Sequence, residues 1–379
     1  MKLLFPNAFG LAPRLVLGVA LLGVSFVVAD DRRTMKIDVV DYVAGREADG
    51  KSSLFAVHDG YTYWFATAEN RRAFLAKPAA FEIQLGGACA RMGPLSGRGT
   101  TEIHAVHDGR VYIFASEACR AAFLKEPEAL LWEPDPRPTP HEASALAGRE
   151  LLDRAVAAVG ADNRLDALNT YGEALEELVT QNGQEYMHRV ETIYRFPGGY
   201  RSTDRWNDWS FTDCLLGPHG WSVDSEGEVD RSPVARIAAL RRQALHHPWM
   251  LLRHRGDPDF VAFREGTETL SLEDGQPREV ELVTTWIDGV ARQLSIDVET
   301  GQITRVVYAD HGPNLRLGKI EVRYRHFENL NGLFVPGFVE TRFDGEIVKS
   351  RSGKILDRRI DQEADAGMFD RPADTPAAG

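Results

Sequence analysis

Apolar and polar positions alternate in two rhythms along this chain. Between residues 40 and 131 an irregular lead (Val40–Ser53, then Cys89–Glu102) runs into a strand ending in Ala-Val-His-Asp-Gly. A second strand with alternating aromatics follows, Tyr63-Trp64-Phe65 or Tyr112-Ile113-Phe114. The Asp-Gly pair predicts a tight hairpin, because glycine accepts positive φ without a Cβ clash. Thr67 and Ser116 then stand where a helix needs a cap, Phe74 and Phe123 face back onto the hairpin, and Pro78 and Pro127 stop the helix.

Further on, Ala143–Ala158 has helical spacing (Leu146, Leu151, Leu152, Ala155, Val156, Val159) and stops at Gly160. From Asn169 to about Arg359 the period changes to two. Turn pairs recur at Gly198-Gly199, Asp288-Gly289, Thr300-Gly301, Asn331-Gly332 and Asp344-Gly345, the rhythm of an antiparallel meander. One helical stretch, Ser232–His254, interrupts it, with Ser232 as the expected cap, Pro233 at the first helical position and Pro248 as a break.

The first rhythm is written twice. Residues 56–78 and 105–127 align without a gap, and thirteen of 23 positions are identical. Two copies of such a unit are a tandem pair of small modules rather than a stacked array. A hairpin with one helix has a marginal core, so the copies are expected to pack on each other. The segment Trp132–Ser144 carries Pro134, Pro136, Pro138 and Pro140, a stiff spacer that marks the clearest boundary. The expected organisation is a signal peptide at 1–29, repeats at 37–88 and 89–131, a linker at 132–144, a β-domain at 145–372 and a disordered tail at 373–379.

The plan of lead, hairpin, Tyr-x-Phe, capped helix and Phe-x-x-x-Pro resembles the YHS domain family, related to the TRASH metal-binding modules. In metal-binding relatives one cysteine lies in the lead and another at the helix start. The second repeat keeps both as Cys89 and Cys119, whereas the first has Val40 and Asn70. Downstream, an early helix, a long meander and one inserted helix, with RFPGGYRSTDRW, IDVETGQITRVVY, ENLNGLFVPGFVETRFDGE and MFDRP, resemble the lipoprotein-carrier (LolA-like) fold. The resemblance implies an α+β chain: two hairpin-plus-helix modules, then a large antiparallel half-barrel sheet with an N-terminal and an inserted helix. It also implies a hydrophobic partner, a small molecule or the acyl chain of a lipid or lipoprotein.

Charge and the N-terminus set the compartment. Lys2 and Arg14 are the only charges before Asp30, and Leu15–Ala29 is apolar or small, the pattern of a secretory signal. An uncleaved membrane anchor is the alternative. The net charge of −12 offers no basic field for nucleic acid. An exported periplasmic or envelope protein is expected, soluble after cleavage, with room for an envelope protein partner.

Candidate chemistry is sparse. With Cys89 and Cys119, His104 and His107 offer sulfur and nitrogen donors suited to zinc or copper, although no cofactor is required. The alternatives are a Cys89–Cys119 disulfide in an oxidising compartment and inert thiols. His58 and His107 recur together although the first repeat lacks the cysteines, which gives the turn histidine a structural role. No G-x-S-x-G, H-E-x-x-H, P-loop or dinucleotide fingerprint occurs, so a non-catalytic protein is expected. His246, His247 and His254 read as polar residues beside the buried Trp249–Leu252 run. Tyr194, Trp206, Trp209, Phe211, Trp221 and Trp286 sit on successive predicted strands and line either an apolar cleft or a filled core.

Overall fold

The computed structural model describes residues 33–372 except 182–183, 272–276 and 314. The expected export signal at 1–29 and the tail at 373–379 lie outside the described residues. No helix among the described residues is long and apolar enough to cross a membrane.

Both repeats fold as their sequence pattern dictates. In the first, strands Lys51–His58 and Tyr61–Phe65 lead into the helix Ala68–Ala76, whose first turn is capped by Thr67 Oγ1 on the Asn70 amide. In the second, strands Thr100–His107 and Arg110–Phe114 lead into Glu117–Lys125, capped in the same way by Ser116 on Cys119. The hairpin turns run through positive φ at both central residues, 46° and 79° at Asp59-Gly60, 48° and 69° at Asp108-Gly109. That geometry matches the right-handed twist of the flanking strands.

Each repeat buries its helix phenylalanine completely, Phe74 against Tyr63 and Phe65, Phe123 against Tyr112 and Phe114. The two copies then share a core. On the second hairpin, Ala105, Tyr112 and Phe114 pack onto their own helix, while Val111 and Ile113 on the other face join the Tyr61, Tyr63, Phe65 and Phe74 cluster of the first copy. Alternation across one strand pair therefore supplies two cores.

The β-domain is α+β with two antiparallel sheets. One has seven strands in the order Val229–Arg231, His219–Val223, Trp209–Leu216, Gly199–Trp206, Gln184–Arg195, Thr170–Gln181, Leu356–Ile360. The other runs Val261–Ser271, Pro277–Ile287, Val290–Asp297, Ile303–His311, Leu317–Arg325, Phe338–Phe343, with the short strands Glu346–Ile347 and Gly353–Lys354 on its last member. Gly353–Ile360 pairs first with Phe338–Phe343 and then with Thr170–Gln181, so it carries the wall from one sheet into the next. The meander turns Asp288-Gly289, Asn331-Gly332 and Asp344-Gly345 again have positive φ at both residues.

Three helices fill the hollow of this wall. The long helix Glu142–Val159 buries Leu152, Ala155, Val156 and Val159 and ends at Gly160. The interrupted helical stretch forms two pieces, Val234–Ala244 and Pro248–Arg253. Pro233, not Ser232, occupies the cap position of the first piece, and no side chain caps it. The Ser232 amide instead continues the sheet by donating to the Gly220 carbonyl, which keeps that residue in extended backbone.

The proline spacer is bound to the β-domain along its outer face. The Asp135 amide donates to the Gly289 carbonyl at 2.7 Å, its carbonyl accepts from Trp286 Nε1 at 3.0 Å, and its carboxylate accepts from the Ala291 amide at 2.8 Å.

Candidate functional site

Strand register decides which aromatic side chains face the hollow. Tyr171, Tyr194, Tyr200 and Leu215 lie side by side across four strands, and all belong to the main core. Farther along the same face, His188 pairs with Trp206, Trp206 with Trp209, and Asp204 with Phe211. Four of the six expected cleft residues therefore share the concave face: Tyr194, Trp206, Trp209 and Phe211.

Two do not. Trp221 pairs with Cys214, whose side chain is on the convex side, and it is buried there with Ile193 and Phe369, its Nε1 donating to the Phe369 carbonyl at 3.3 Å. Trp286 has the opposite parity to the buried Val283, Thr285 and Ile287 and covers the proline spacer. Their strands are correctly placed, but each tryptophan falls on the wrong side of the pleat.

The hollow has two regimes. At its deep end Tyr171, Tyr194 and Tyr200 meet His247, Trp249 and the three helices in a filled core. At its mouth the packing opens. Trp206 stacks on His188 at 3.8 Å, while Trp209 remains 46% exposed and stacks on Phe211 at 6.2 Å. Trp209 and Phe211 form one wall of a cleft of about 370 Å³, with Ser222 and Asp230 beside them, Pro233 and Arg236 at the start of the inserted helix, and the 85–98 segment of the second repeat across the opening. Such a volume falls within the ~300–1,000 Å³ typical of small-molecule sites.

The segment crossing the mouth is held by one arginine. Arg236, itself buried, pairs with Asp213 through Nε and Nη2, both at 2.8 Å, and donates from Nη1 to the carbonyls of Pro94 and Ser96 at 3.4 and 3.2 Å. Burial pushes the Asp213 carboxyl up, and Arg236 opposes that shift. Leu95 packs on the main core, and Arg98 pairs with Asp230 at 3.0 Å. Gly86 approaches Pro233 so closely that a Cβ would stand 2.4 Å from it.

Behind the segment lies a second, polar cleft of about 240 Å³, lined in part by Met92, Gly93 and Pro94. Its floor is a buried ionic network. Arg242 meets Asp310 at 3.2 and 3.4 Å, His246 Nε2 donates to Asp310 at 3.0 Å, and Arg292 Nε donates to His246 Nδ1 at 3.2 Å. Accepting at Nδ1 fixes the proton of His246 on Nε2. Burial pushes that imidazole down to about 4 and Arg292 down to about 10. For Asp310 burial works upward, yet hydrogen bonds from His246 and His311 and the charge of Arg242 hold it far below the usual carboxylate range. His311 donates from Nε2 to the Leu130 carbonyl at 2.9 Å and Arg242 lies over the Trp132 ring, so the network also anchors the end of the second repeat.

His246 was expected only to be polar filling, and Arg236, Arg242, Arg292 and Asp310 were not expected at all. Parity carried a signal for two of them. Arg292 shares its face with Val290 and Leu294, and Asp310 shares its face with Val306 and Tyr308, so each charge stands at an inward position.

The four expected metal donors are distributed differently. Cys89 is buried and Cys119 packs beside it, both as free thiols, and burial together with Cys119 pushes the Cys89 thiol up. His107 turns its edge onto Phe123 at 5.9 Å, as His58 does onto Phe74, while His58 also meets Glu82 at 2.6 Å. His104, an odd number of positions from His107, lies on the other face of the strand against Tyr42 at 4.9 Å. Among the described residues, no three His, Cys, Asp or Glu side chains gather to hold a metal ion.

No family model and no curated protein matches the chain. Among solved structures, a DUF1329 family protein from Desulfovibrio piger is similar over 60% of this chain and 97% of its own, at 14% identity and a TM-score of 0.39. A LolA superfamily protein from Nitrosomonas europaea is similar over 57% of this chain and 94% of its own, at 11% identity and a TM-score of 0.35. Likeness this distant carries neither a family nor a function across to this chain.

Proposed function

We propose that this is an exported, non-catalytic envelope protein that binds a hydrophobic or amphipathic ligand, such as a lipid or lipoprotein acyl chain, in the cleft at the mouth of the half-barrel. The observation that carries the reading is Trp209, a large aromatic left 46% exposed on the concave face and stacked on Phe211 beside the start of the inserted helix. Apolar surface held open to water in a concave, polar-rimmed setting favours an apolar guest. The tandem modules act as accessory domains whose 85–98 segment forms one side of the site. Apart from a recess of about 20 Å³, the deep end is occupied by the Tyr171, Tyr194, Tyr200 and Trp249 core, so the ligand lies at the mouth and does not thread the barrel.

Native mass spectrometry of protein taken from an envelope fraction without detergent tests this. A lipid adduct on the native chain that disappears in Trp209→Ser/Phe211→Ser is the expected result. Native protein that carries no lipid and takes up no added palmitate overturns the reading.

A further inference from the structure

A second site lies on the far side of the hollow, built from residues that the mouth cleft does not use. The C-terminal end of the long helix, the start of the Pro248–Arg253 helix and the Tyr324–Phe327 strand end enclose a recess of about 20 Å³. Gln302, Tyr324, Phe327 and Phe334 are walls both of this recess and of an outer cleft of about 350 Å³. The recess is aromatic. The outer cleft is polar, with Arg278, Asp297, Thr300 and Thr304.

Two largely buried side chains at the recess, His247 and Tyr324, each keep one donor atom without a partner among the described residues. His247 is 7% exposed, and its Nδ1 accepts from the Trp249 amide at 3.2 Å. The proton therefore sits on Nε2, which has no partner among the described residues. Burial pushes the imidazole down to about 3, so the ring stays a neutral donor through the physiological range. Tyr324 is 8% exposed, and its hydroxyl has no partner among the described residues either. Neither donor atom is sealed off: both keep accessible surface at the recess, so an acceptor can reach them.

We infer that this recess receives the ester carbonyl of a small amphiphile with a polar alcohol head, the carbonyl oxygen accepting from His247 and Tyr324 and the head group lying among the polar residues of the outer cleft. Two neutral donors in an aromatic recess suit a neutral oxygen better than a carboxylate, whose charge would be desolvated without a cation to meet it. Phe334, 41% exposed, forms the apolar lip over which the acyl part lies. The site stands apart from the mouth cleft and does not depend on it.

The test compares glycerol monohexanoate with its ether analogue, 1-O-hexylglycerol, by isothermal titration on the whole chain. The ester is expected to bind and the ether to bind about tenfold more weakly or not at all, because only the ester supplies the acceptor. Tyr324→Phe is expected to weaken the ester by roughly five- to tenfold and leave the ether unchanged. Equal binding of ester and ether, an ester affinity indifferent to Tyr324→Phe, or no binding of either ligand overturns the inference, the last outcome meaning that the recess holds a water molecule only. Loss of ester binding in Trp209→Ala also overturns it and assigns the ligand to the mouth.

Discussion

Arg236 and Asp213 face each other in a two-point ion pair, Nε to Oδ1 and Nη2 to Oδ2, both at 2.8 Å, and the third guanidinium nitrogen holds the carbonyls of Pro94 and Ser96. The pair joins a strand of the β-domain to its inserted helix, and the same arginine ties both to a loop about 140 residues earlier in the chain. Removing one partner leaves an uncompensated buried charge, which costs about 3–5 kcal/mol. Arg236→Met is therefore expected to lower unfolding free energy by that amount in urea denaturation. Arg236→Met/Asp213→Leu is expected to recover much of it, since no lone charge remains. A single variant as stable as the double one contradicts the assignment.

His246 makes the fold sensitive to acid. Its folded pKa of about 4 lies below the ordinary value of about 6.5, so between those limits the unfolded chain takes up a proton that the folded chain does not. Stability contributed by the neutral ring is present above pH 6.5 and is lost as pH falls toward 4; His247, at about 3, acts in the same direction. The expected loss between pH 7 and pH 4.5 is on the order of 2–3 kcal/mol. His246→Gln, which can still accept from Arg292 and donate to Asp310, is expected to show a shallower loss in denaturation series at the two pH values. Identical slopes contradict the account.

Glu173 produces the opposite dependence. Burial pushes its carboxyl up to about 7, against a donated hydrogen bond from Tyr171 at 2.9 Å. The folded chain then holds more protons than the unfolded one between about pH 4.3 and 7, so stability falls as pH rises through that window. Glu173→Gln is expected to stabilise by on the order of 2 kcal/mol at pH 8 and to be neutral at pH 4. A gain that is equal at both pH values points to packing instead of charge.

The proline spacer gives a local prediction. Asp135 accepts from the Ala291 amide and aligns the spacer along the Asp288-Gly289 turn. Asp135→Ala is expected to leave global stability within about 1–2 kcal/mol while exposing residues 132–140 to limited proteolysis. A spacer cut at the native rate shows that the backbone contacts suffice.

What could be read in the sequence was local. Asp-Gly pairs need positive φ, and the structure places 46° and 79° at Asp59-Gly60 and 53° and 73° at Asp288-Gly289. Thr67, Ser116 and Gly160 mark helix ends for equally local reasons. Trp221 and Trp286 were misplaced because counting aromatics ignores the pleat, whereas the parity of their buried neighbours settles each side. Arg292 and Asp310 were visible by that same parity, as charges among inward positions. Arg236 was not visible, since nothing in its helix says that Pro94 and Ser96 will come to lie against it. The outcome for Tyr194 and Trp209 depended on where the helices stop filling the hollow, a tertiary fact that strand patterning does not contain.

Fluorescence quenching by a brominated acyl chain tests the central claim most directly, because bromine quenches tryptophan only at close range. With 9,10-dibromostearate the native chain is expected to lose a saturable part of its emission, and Trp209→Phe is expected to lose that part with binding retained. Quenching that is unaltered by Trp209→Phe, or no saturable quenching of the native chain, contradicts a ligand at the mouth of the half-barrel.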